Sequence, residues 1–198
     1  MKATFFDRMS AYIIDFLIIS VLISLICFNV PNNNSKKYEK KMEEVTNQYL
    51  AQEIDEKEYI SQYSEIIYNN QKSNIIVTEV TVLVIIGYFV IFQYMNKGQT
   101  LGKKLMKIRV VDKSTQKPIT ILKGLIRSMF ILNILSSILG IILLYIADKT
   151  KYFIIYGGIS SLESIFIIIT IFFVLYRKDG RGLHDMMVNT EVIKEGRW

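Results

Sequence analysis

Four long apolar runs constrain the fold of this chain more than any other feature of its sequence. They cover residues 11–30, 75–94, 125–147 and 152–176, and each has about 20 or more residues, the length of helix that crosses the hydrocarbon core of a bilayer. Ile, Leu, Val and Phe lie on every side of these runs, whereas a helix of a water-soluble protein has a single apolar stripe. We therefore predict an all-α membrane protein with four transmembrane helices.

The composition suits one domain over residues 1–198 and excludes several classes of protein. The single Cys cannot form a disulfide within the chain, and one Cys with one His cannot supply the four ligands of a structural zinc site. We expect no metal and no cofactor. The sequence also lacks a nucleophile paired with a His or Cys partner, so we expect no enzymatic activity.

The net charge of +6 predicts how the chain is oriented in the membrane. Sixteen basic and six acidic residues lie near the two termini, between the second and third runs and at the start of the third. Residues 31–74 and 148–151 together hold eight basic and nine acidic ones. Lys and Arg concentrate on the cytoplasmic side of membrane proteins, so we predict that both termini and residues 96–123 are cytoplasmic. The basic excess suits an anionic inner leaflet and requires no nucleic acid.

The polar segment 35–72, between the first two runs, has apolar residues at three- and four-residue steps, which indicates two amphipathic helices. Asp55 and Glu58 have the spacing of a helix-start box. We predict an extracellular helical hairpin inserted at 35–72. Its two apolar stripes either bury only each other or dock a second copy of the chain or another membrane protein, and the sequence leaves both readings open.

Two short segments on the predicted cytoplasmic side alternate apolar and polar residues, as strands do. We predict that residues 105–112 pair with residues 189–194 in a small β-ribbon.

The loop before the first of these strands has a compact Gly-flanked motif. Gly98 and Gly102 enclose Gln99, Thr100 and Leu101, and Lys103 follows. We interpret it as a tight re-entry of the chain at the membrane edge, where only Gly tolerates a positive φ or a close backbone approach. Phosphate binding is the alternative, but the spacing of a P-loop is absent.

Three acidic residues, Asp15, Glu79 and Glu163, lie inside the apolar runs. Arg8 precedes Asp15 by seven residues, which places both on one helix face about 10 Å apart along the axis, so we expect Arg127 rather than Arg8 to pair with Asp15. A carboxylate in hydrocarbon needs a partner, a proton or water. The three acids either form a stepwise path for protons or cations, or Glu163 is protonated and serves helix packing.

His184 and Asp185 form the one adjacent His and acid pair in the sequence. The imidazole either transfers protons near neutral pH or forms a structural hydrogen-bonded pair with the carboxylate.

Three segments together resemble the RDD family of small integral membrane proteins, which is named for one Arg and two Asp. They are residues 6–15, residues 98–112 and residues 183–190. The resemblance implies that Arg8 and Asp15 are the family's Arg and first Asp, and Asp185 matches the second. The chain departs from the family pattern in its long hairpin and in Asn189, where Gly is usual.

The resemblance implies a bacterial plasma-membrane protein, in keeping with a composition rich in Ile, Lys and Asn. For the family, transport is proposed broadly, with cation/proton antiport for some members and accessory roles for others. One hypothesis is therefore proton-coupled cation or small-solute transport by a homodimer or larger assembly. The other is a non-catalytic accessory, regulatory or immunity-type protein that binds a partner membrane protein, for example through its hairpin.

Overall fold

The structure is a computed structural model that describes residues 1–30 and 35–195. Residues 31–34, which precede the predicted hairpin, and residues 196–198 lie outside the described part. The chain is mostly helical, with a two-stranded sheet formed by β1 (Ile108–Asp112) and β2 (Thr190–Lys194). A π-helical segment, Gly87–Phe92, joins α4 to α5. The helices are α1 Phe5–Ile26, α2 Ser35–Leu50, α3 Glu56–Ser73, α4 Ile75–Ile86, α5 Gln93–Met95, α6 Leu101–Leu105, α7 Ile121–Ile131, α8 Ile134–Ile146, α9 Lys149–Tyr176 and α10 Leu183–Met187.

Three helical units are long and apolar enough to cross a membrane: α1, the unit Ile75–Met95, and α9. Their most apolar 18-residue windows have mean hydropathies of 2.3, 2.6 and 2.2. The first begins at Phe5 and ends at Ile26, so its predicted bounds, 11–30, are displaced toward the C-terminus by one to two helical turns. The predicted third helix, 125–147, is not continuous, because the chain bends by 75° between α7 and α8. The described residues thus contain three spans, or four if the bent pair counts as one.

The bend between α7 and α8 has a local cause. Asn133 has a φ of +51°, a left-handed conformation that ends a right-handed helix and that Asn tolerates better than most residues. The new helix leaves its first N–H groups without partners. The Glu163 carboxylate of α9 accepts a hydrogen bond of 3.2 Å from the Ser136 N–H in this first turn. A side chain from a neighbouring helix therefore supplies an acceptor for one of the N–H groups that the break leaves unpaired.

The segment predicted as a hairpin forms two helices, α2 and α3, that pack against each other. Val45 and Ile66 are buried, and Asp55 caps α3 by accepting a 2.7 Å hydrogen bond from the Glu58 N–H. The hairpin also packs on α9 and α8. The Tyr68 hydroxyl donates to the backbone oxygen of Leu144, in the last turn of α8, at 2.9 Å. The apolar stripe of α3 is therefore used within the chain.

The opposite end of the helices carries the two strands, which pair antiparallel with Val110 opposite Val192. Lys2 forms a bridge with Ile193 on the other side of β2. The described parts of both termini and the segment before α7 thus lie together, and we call residues 1–4, 96–120 and 177–195 the ribbon layer. Its buried core consists of Ala3, Ile108, Val110, Ile119 and Val192, and Ala11 of α1 packs in the same cluster.

The strand predicted from residue 105 begins three residues later. Leu105 is the last residue of α6, and Lys107, with a φ of +53°, turns the chain into β1. The first residues of the alternating segment thus belong to a short helix and a turn. Periodicity alone does not distinguish a helix from a strand over so few residues.

Candidate functional site

Asp15, in the middle of α1, is almost fully buried with 1% of its surface exposed. Its carboxylate accepts three hydrogen bonds: from the Tyr88 hydroxyl at 2.6 Å, the Thr100 hydroxyl at 2.5 Å and the Gly102 N–H at 2.7 Å. The expected ion pair with Arg127 is wrong, because Arg127 bonds Asp185 instead. Neutral donors from the π-helical segment and from α6 satisfy this carboxylate, and we call this arrangement the Asp15 cradle.

The glycines of the loop motif allow the close packing on which the cradle depends. A Cβ on Gly102 would lie 2.2 Å from the backbone oxygen of Ala11, so only Gly lets α6 lie this close to α1. Gly98 has a φ of +89°, and a Cβ there would lie 2.2 Å from the backbone oxygen of Val110. The Gln99 side chain donates to the first residue of β1 at 2.9 Å. The motif thus joins α1, α6 and the sheet by close backbone contact.

The phosphate-binding alternative for this loop has little support in the geometry. The Gly102 N–H, which a phosphate would need, donates to Asp15. The Thr100 hydroxyl also donates to Asp15 while it caps α6.

Asp185, on α10, is fully buried between two guanidinium groups. Its carboxylate lies 3.0 Å from Arg8 Nη1 and 2.7 Å from Arg127 Nη1. It also accepts hydrogen bonds from the Thr190 hydroxyl at 3.1 Å and the Gly182 N–H at 3.3 Å. We call these two arginines with Asp185 the arginine clamp. It joins α1, α7 and α10, which are far apart in the sequence.

The electrostatics of the clamp keep Asp185 charged and His184 neutral. Burial alone would raise the pKa of the Asp185 carboxyl, but the neighbouring positive charges, Arg127 foremost, bring this pKa down to about 2. Burial lowers the pKa of His184 to about 3, and the Arg127 and Arg8 charges reinforce this shift against the opposing Asp185. Although His184 Nε2 lies 3.4 Å from Asp185 Oδ2, an imidazole with this pKa does not exchange protons near neutral pH.

Sequence reasoning missed Arg181, which is 7% exposed. Its guanidinium donates to the backbone oxygens of Thr190 and Asp185, both at 2.9 Å, and to Asn189 Oδ1 at 3.3 Å. An arginine in a basic C-terminal segment looks like a solvated residue, so no pattern identified it. Asn189 has a φ of +52°, a left-handed conformation that Gly adopts readily and that Asn tolerates better than most residues.

The three carboxylates of the apolar runs do not meet. Glu163 is 2% exposed and caps α8, as described above, and its Oε2 has no hydrogen-bond partner among the described residues. Glu79 is half-buried and forms no side-chain hydrogen bond or ion pair within residues 1–30 and 35–195. Asp15 is the one member of the three that lines the cavity between the helices and the ribbon layer.

This cavity, of about 410 Å³, lies between the helices and the ribbon layer. Its walls come from α1, the π-helical segment, α5, α6, α7, the break at 132–133, α9, α10 and both strands. Most of the lining is apolar, and the polar groups belong to Arg8, Asp15, Gln93, Lys103, Arg127, Ser128, Asn133, Thr170 and His184.

Lys103 is the cationic member of the loop motif that enters the cavity. Its Nζ donates to Gln93 Oε1 at 2.5 Å. Burial, with the repulsion of Arg127, lowers the pKa of Lys103 to about 7, against the opposing attraction of Asp15 and Asp185. A pKa in this range lies close to neutral pH, where the ammonium and amine forms of Lys103 are both accessible.

Fold and site together define a small multi-pass membrane protein with a mixed-charge cavity against one polar layer. The RDD family model matches residues 2–189, nearly the whole chain. The chain belongs to the RDD family. No curated protein and no solved structure matches the chain.

Proposed function

We propose that this chain is a non-catalytic carrier subunit of a bacterial plasma membrane, and that the cavity beside the ribbon layer holds the carried solute. The observation that carries the proposal is the cavity of about 410 Å³ at a broken helix. This volume lies within the roughly 300–1,000 Å³ typical of small-molecule sites. In this proposal the ribbon layer faces the cytoplasm because it holds most of the basic excess.

The broken helix supports a carrier because irregular backbone at membrane depth is costly. It is tolerated where it is buried in protein or lines a water-filled cavity, and carriers commonly bind solutes at interrupted helices. Leu132 and Asn133, which form the break, line the cavity. On the facing wall, Phe89 belongs to the π-helical segment, and π-helical turns are frequent at functional sites.

The charges of the cavity favour a small solute over a metal cation. Arg8, Lys103 and Arg127 are the basic groups of its lining, and Asp15 is the acidic one. Both oxygens of Asp15 already accept hydrogen bonds in the cradle. Glu163 and Glu79 lie outside the lining, so a stepwise acidic path for cations has less support than the cavity.

Proton coupling of the carrier has one candidate group in the lining. Lys103 has a pKa of about 7, so its charge changes within the physiological range of pH. Because three or four spans are few for a carrier, we place transport in a homodimer or larger assembly.

The accessory role is the weaker alternative. Docking through the hairpin has less support, because Val45 and Ile66 are buried and the Tyr68 hydroxyl bonds within the chain.

Flux into reconstituted vesicles tests the carrier. Ile167 lines the cavity, whereas the next residue, Ile168, is 66% exposed on the outer side of α9. We expect protein-dependent uptake from a panel of small organic acids. Ile167→Trp should reduce this uptake about tenfold or more by filling the cavity, and Ile168→Trp should leave it unchanged.

Two results would contradict the carrier. One is the absence of flux for every solute of the panel and for Na⁺, K⁺ and H⁺ with folded protein in the vesicles. The other is equal flux by the two tryptophan variants.

A further inference from the structure

The cavity has an uneven distribution of charge at the end nearest the ribbon layer. Arg8 and Arg127 share the single carboxylate of Asp185, and their side chains are only 14% and 12% exposed. Arg181, bonded to backbone oxygens and Asn189, adds a further buried cation behind them. Guanidinium groups stay charged in proteins. Arg8, Lys103 and Arg127 line the cavity against one acidic lining residue, Asp15. With Asp185 included, the positive groups outnumber the negative ones by one while Lys103 is protonated.

Unpartnered polar atoms provide a second, independent observation at the same place. Arg8 Nε, Thr170 Oγ1 and His184 Nδ1 are buried and have no hydrogen-bond partner among the described residues. All three residues line the cavity. Buried polar groups without partners are costly and rare in native proteins, so their concentration at one cavity indicates that a ligand supplies the missing partners. An acceptor-rich anion would suit the Arg8 donor and the Thr170 hydroxyl.

The rest of the cavity is apolar and reaches the lipid-facing surface. Between α1 and α9 its rim includes Met9, Tyr12 and Ile171, which are 41%, 44% and 43% exposed. Ile167 and Val174 continue the apolar lining along α9. An apolar chain of a ligand would therefore lie along this wall and leave the cavity toward hydrocarbon rather than toward water.

We propose that the cavity binds an amphipathic anion, with a phosphate or carboxylate head at Arg8, Arg127 and Thr170 and an apolar tail between α1 and α9. The inference rests on the proposed carrier function and names the class of its solute. Arg recognises both head groups through paired, charge-assisted hydrogen bonds. The head can belong to a membrane lipid or to a free amphiphile, because both have the same anionic group and tail.

Ligand binding to the purified full-length chain in an uncharged detergent tests this proposal. The probes are dodecyl phosphate, lysophosphatidic acid, inorganic phosphate and dodecyltrimethylammonium, and the readouts are the melting temperature and the dissociation constant. We expect dodecyl phosphate to raise the melting temperature, with inorganic phosphate about tenfold weaker or more because it lacks the buried tail. Dodecyltrimethylammonium should not bind. Tighter binding of lysophosphatidic acid than of dodecyl phosphate would identify a lipid source, and the reverse a free amphiphile.

Variants distinguish a loss of ligand binding from a loss of folding. Thr170→Val removes a hydroxyl that has no partner in the chain, so the protein should fold normally while the affinity for dodecyl phosphate falls about threefold to tenfold. Thr150→Val, on an exposed turn of the same helix, is the matched control and should not change affinity. Arg8→Gln should reduce affinity further, and Thr170→Val keeps the test valid if Arg8→Gln fails to fold.

Equal binding of the cationic amphiphile, equal binding of inorganic phosphate, or unchanged affinity in Thr170→Val would each overturn the proposal. Its failure is distinguishable from failure of the carrier function. Binding of dodecyl phosphate without flux in vesicles supports the anion site and contradicts the carrier. Flux of a solute without binding of any anionic amphiphile supports the carrier and contradicts the anion site.

Discussion

The two buried aspartates of this protein are held in opposite ways. Asp15 accepts hydrogen bonds from two hydroxyls and a backbone N–H, whereas Asp185 lies between Arg8 and Arg127. The neutral cradle fixes the position of α6 on α1 without an ion pair. The arginine clamp does the reverse, because its two cations exceed its one anion. The comparison indicates that Asp15 holds α6 against α1, whereas Asp185 holds the two guanidinium groups in place beside the cavity.

The largest effect should come from Asp185→Asn. The change leaves the guanidinium groups of Arg8 and Arg127 buried without a counter-charge, which costs about 3–5 kcal/mol of unfolding free energy. Denaturant titration in mixed micelles measures this loss. Glu65→Gln is the control, since the Glu65–Lys149 pair at 2.5 Å is about half exposed at both side chains and should contribute about 1 kcal/mol or less. Equal losses in the two variants would contradict a buried clamp.

Gly102→Ala should cost about 3 kcal/mol, at the upper end for overpacking, because the added Cβ would lie 2.2 Å from the backbone oxygen of Ala11. The same denaturant titration measures it. Gly157→Ala, on α9, is the matched control, since a Cβ there meets nothing within 4 Å, and the higher helix propensity of Ala should leave stability equal or slightly higher. A neutral Gly102→Ala would mean that α6 does not pack on α1 as described.

Asp15→Asn should cost less than Asp185→Asn, about 1.5–3 kcal/mol. The amide keeps an oxygen for Tyr88 and Gly102, and the Thr100 hydroxyl can rotate to accept from the new NH₂ group. The change also leaves no buried cation unpaired. Thermal unfolding of both variants side by side checks the order, and a larger loss for Asp15→Asn would reverse the roles assigned to the two aspartates.

The smallest effect is the change in stability over a single pH unit. His184 has a folded pKa of about 3 against an ordinary value of 6.5, so below 6.5 the unfolded chain binds a proton that the folded chain excludes. Its contribution to stability is complete above pH 6.5 and falls as the pH drops toward 3, by up to about 1.4 kcal/mol per pH unit. Unfolding midpoints across this range should fall less steeply for His184→Gln. Parallel curves for the two proteins would show that His184 binds its proton equally well in the folded and the unfolded chain.

Much of the architecture could be predicted from local pattern. Apolar length located the membrane helices, three- and four-residue steps located α2 and α3, and alternation located both strands. The break at Asn133 could not be predicted, because the run from 125 to 147 is apolar on both sides of one polar residue. The decisive interaction is the Glu163 cap, which comes from another helix.

The sequence identified most residues of the candidate site, but it did not predict which of them bond to one another. Seven-residue spacing placed Arg8 and Asp15 on one face, yet each bonds elsewhere, Arg8 to Asp185 and Asp15 to Thr100. These partners are separated by 177 and 85 positions in the chain, and helix periodicity has no information at such distances. The cavity itself depends on how α1, α7 and α9 pack, so it became visible only in three dimensions.

Native mass spectrometry of the full chain, extracted in an uncharged detergent with added dodecyl phosphate, tests the central claim most directly. The claim is that the clamp and the apolar wall form one binding cavity. We predict one bound anion per chain for the wild type and for Ile168→Trp, and its loss in Ile167→Trp, which fills the cavity. Equal occupancy in all three proteins would place the anion outside the cavity and contradict the account.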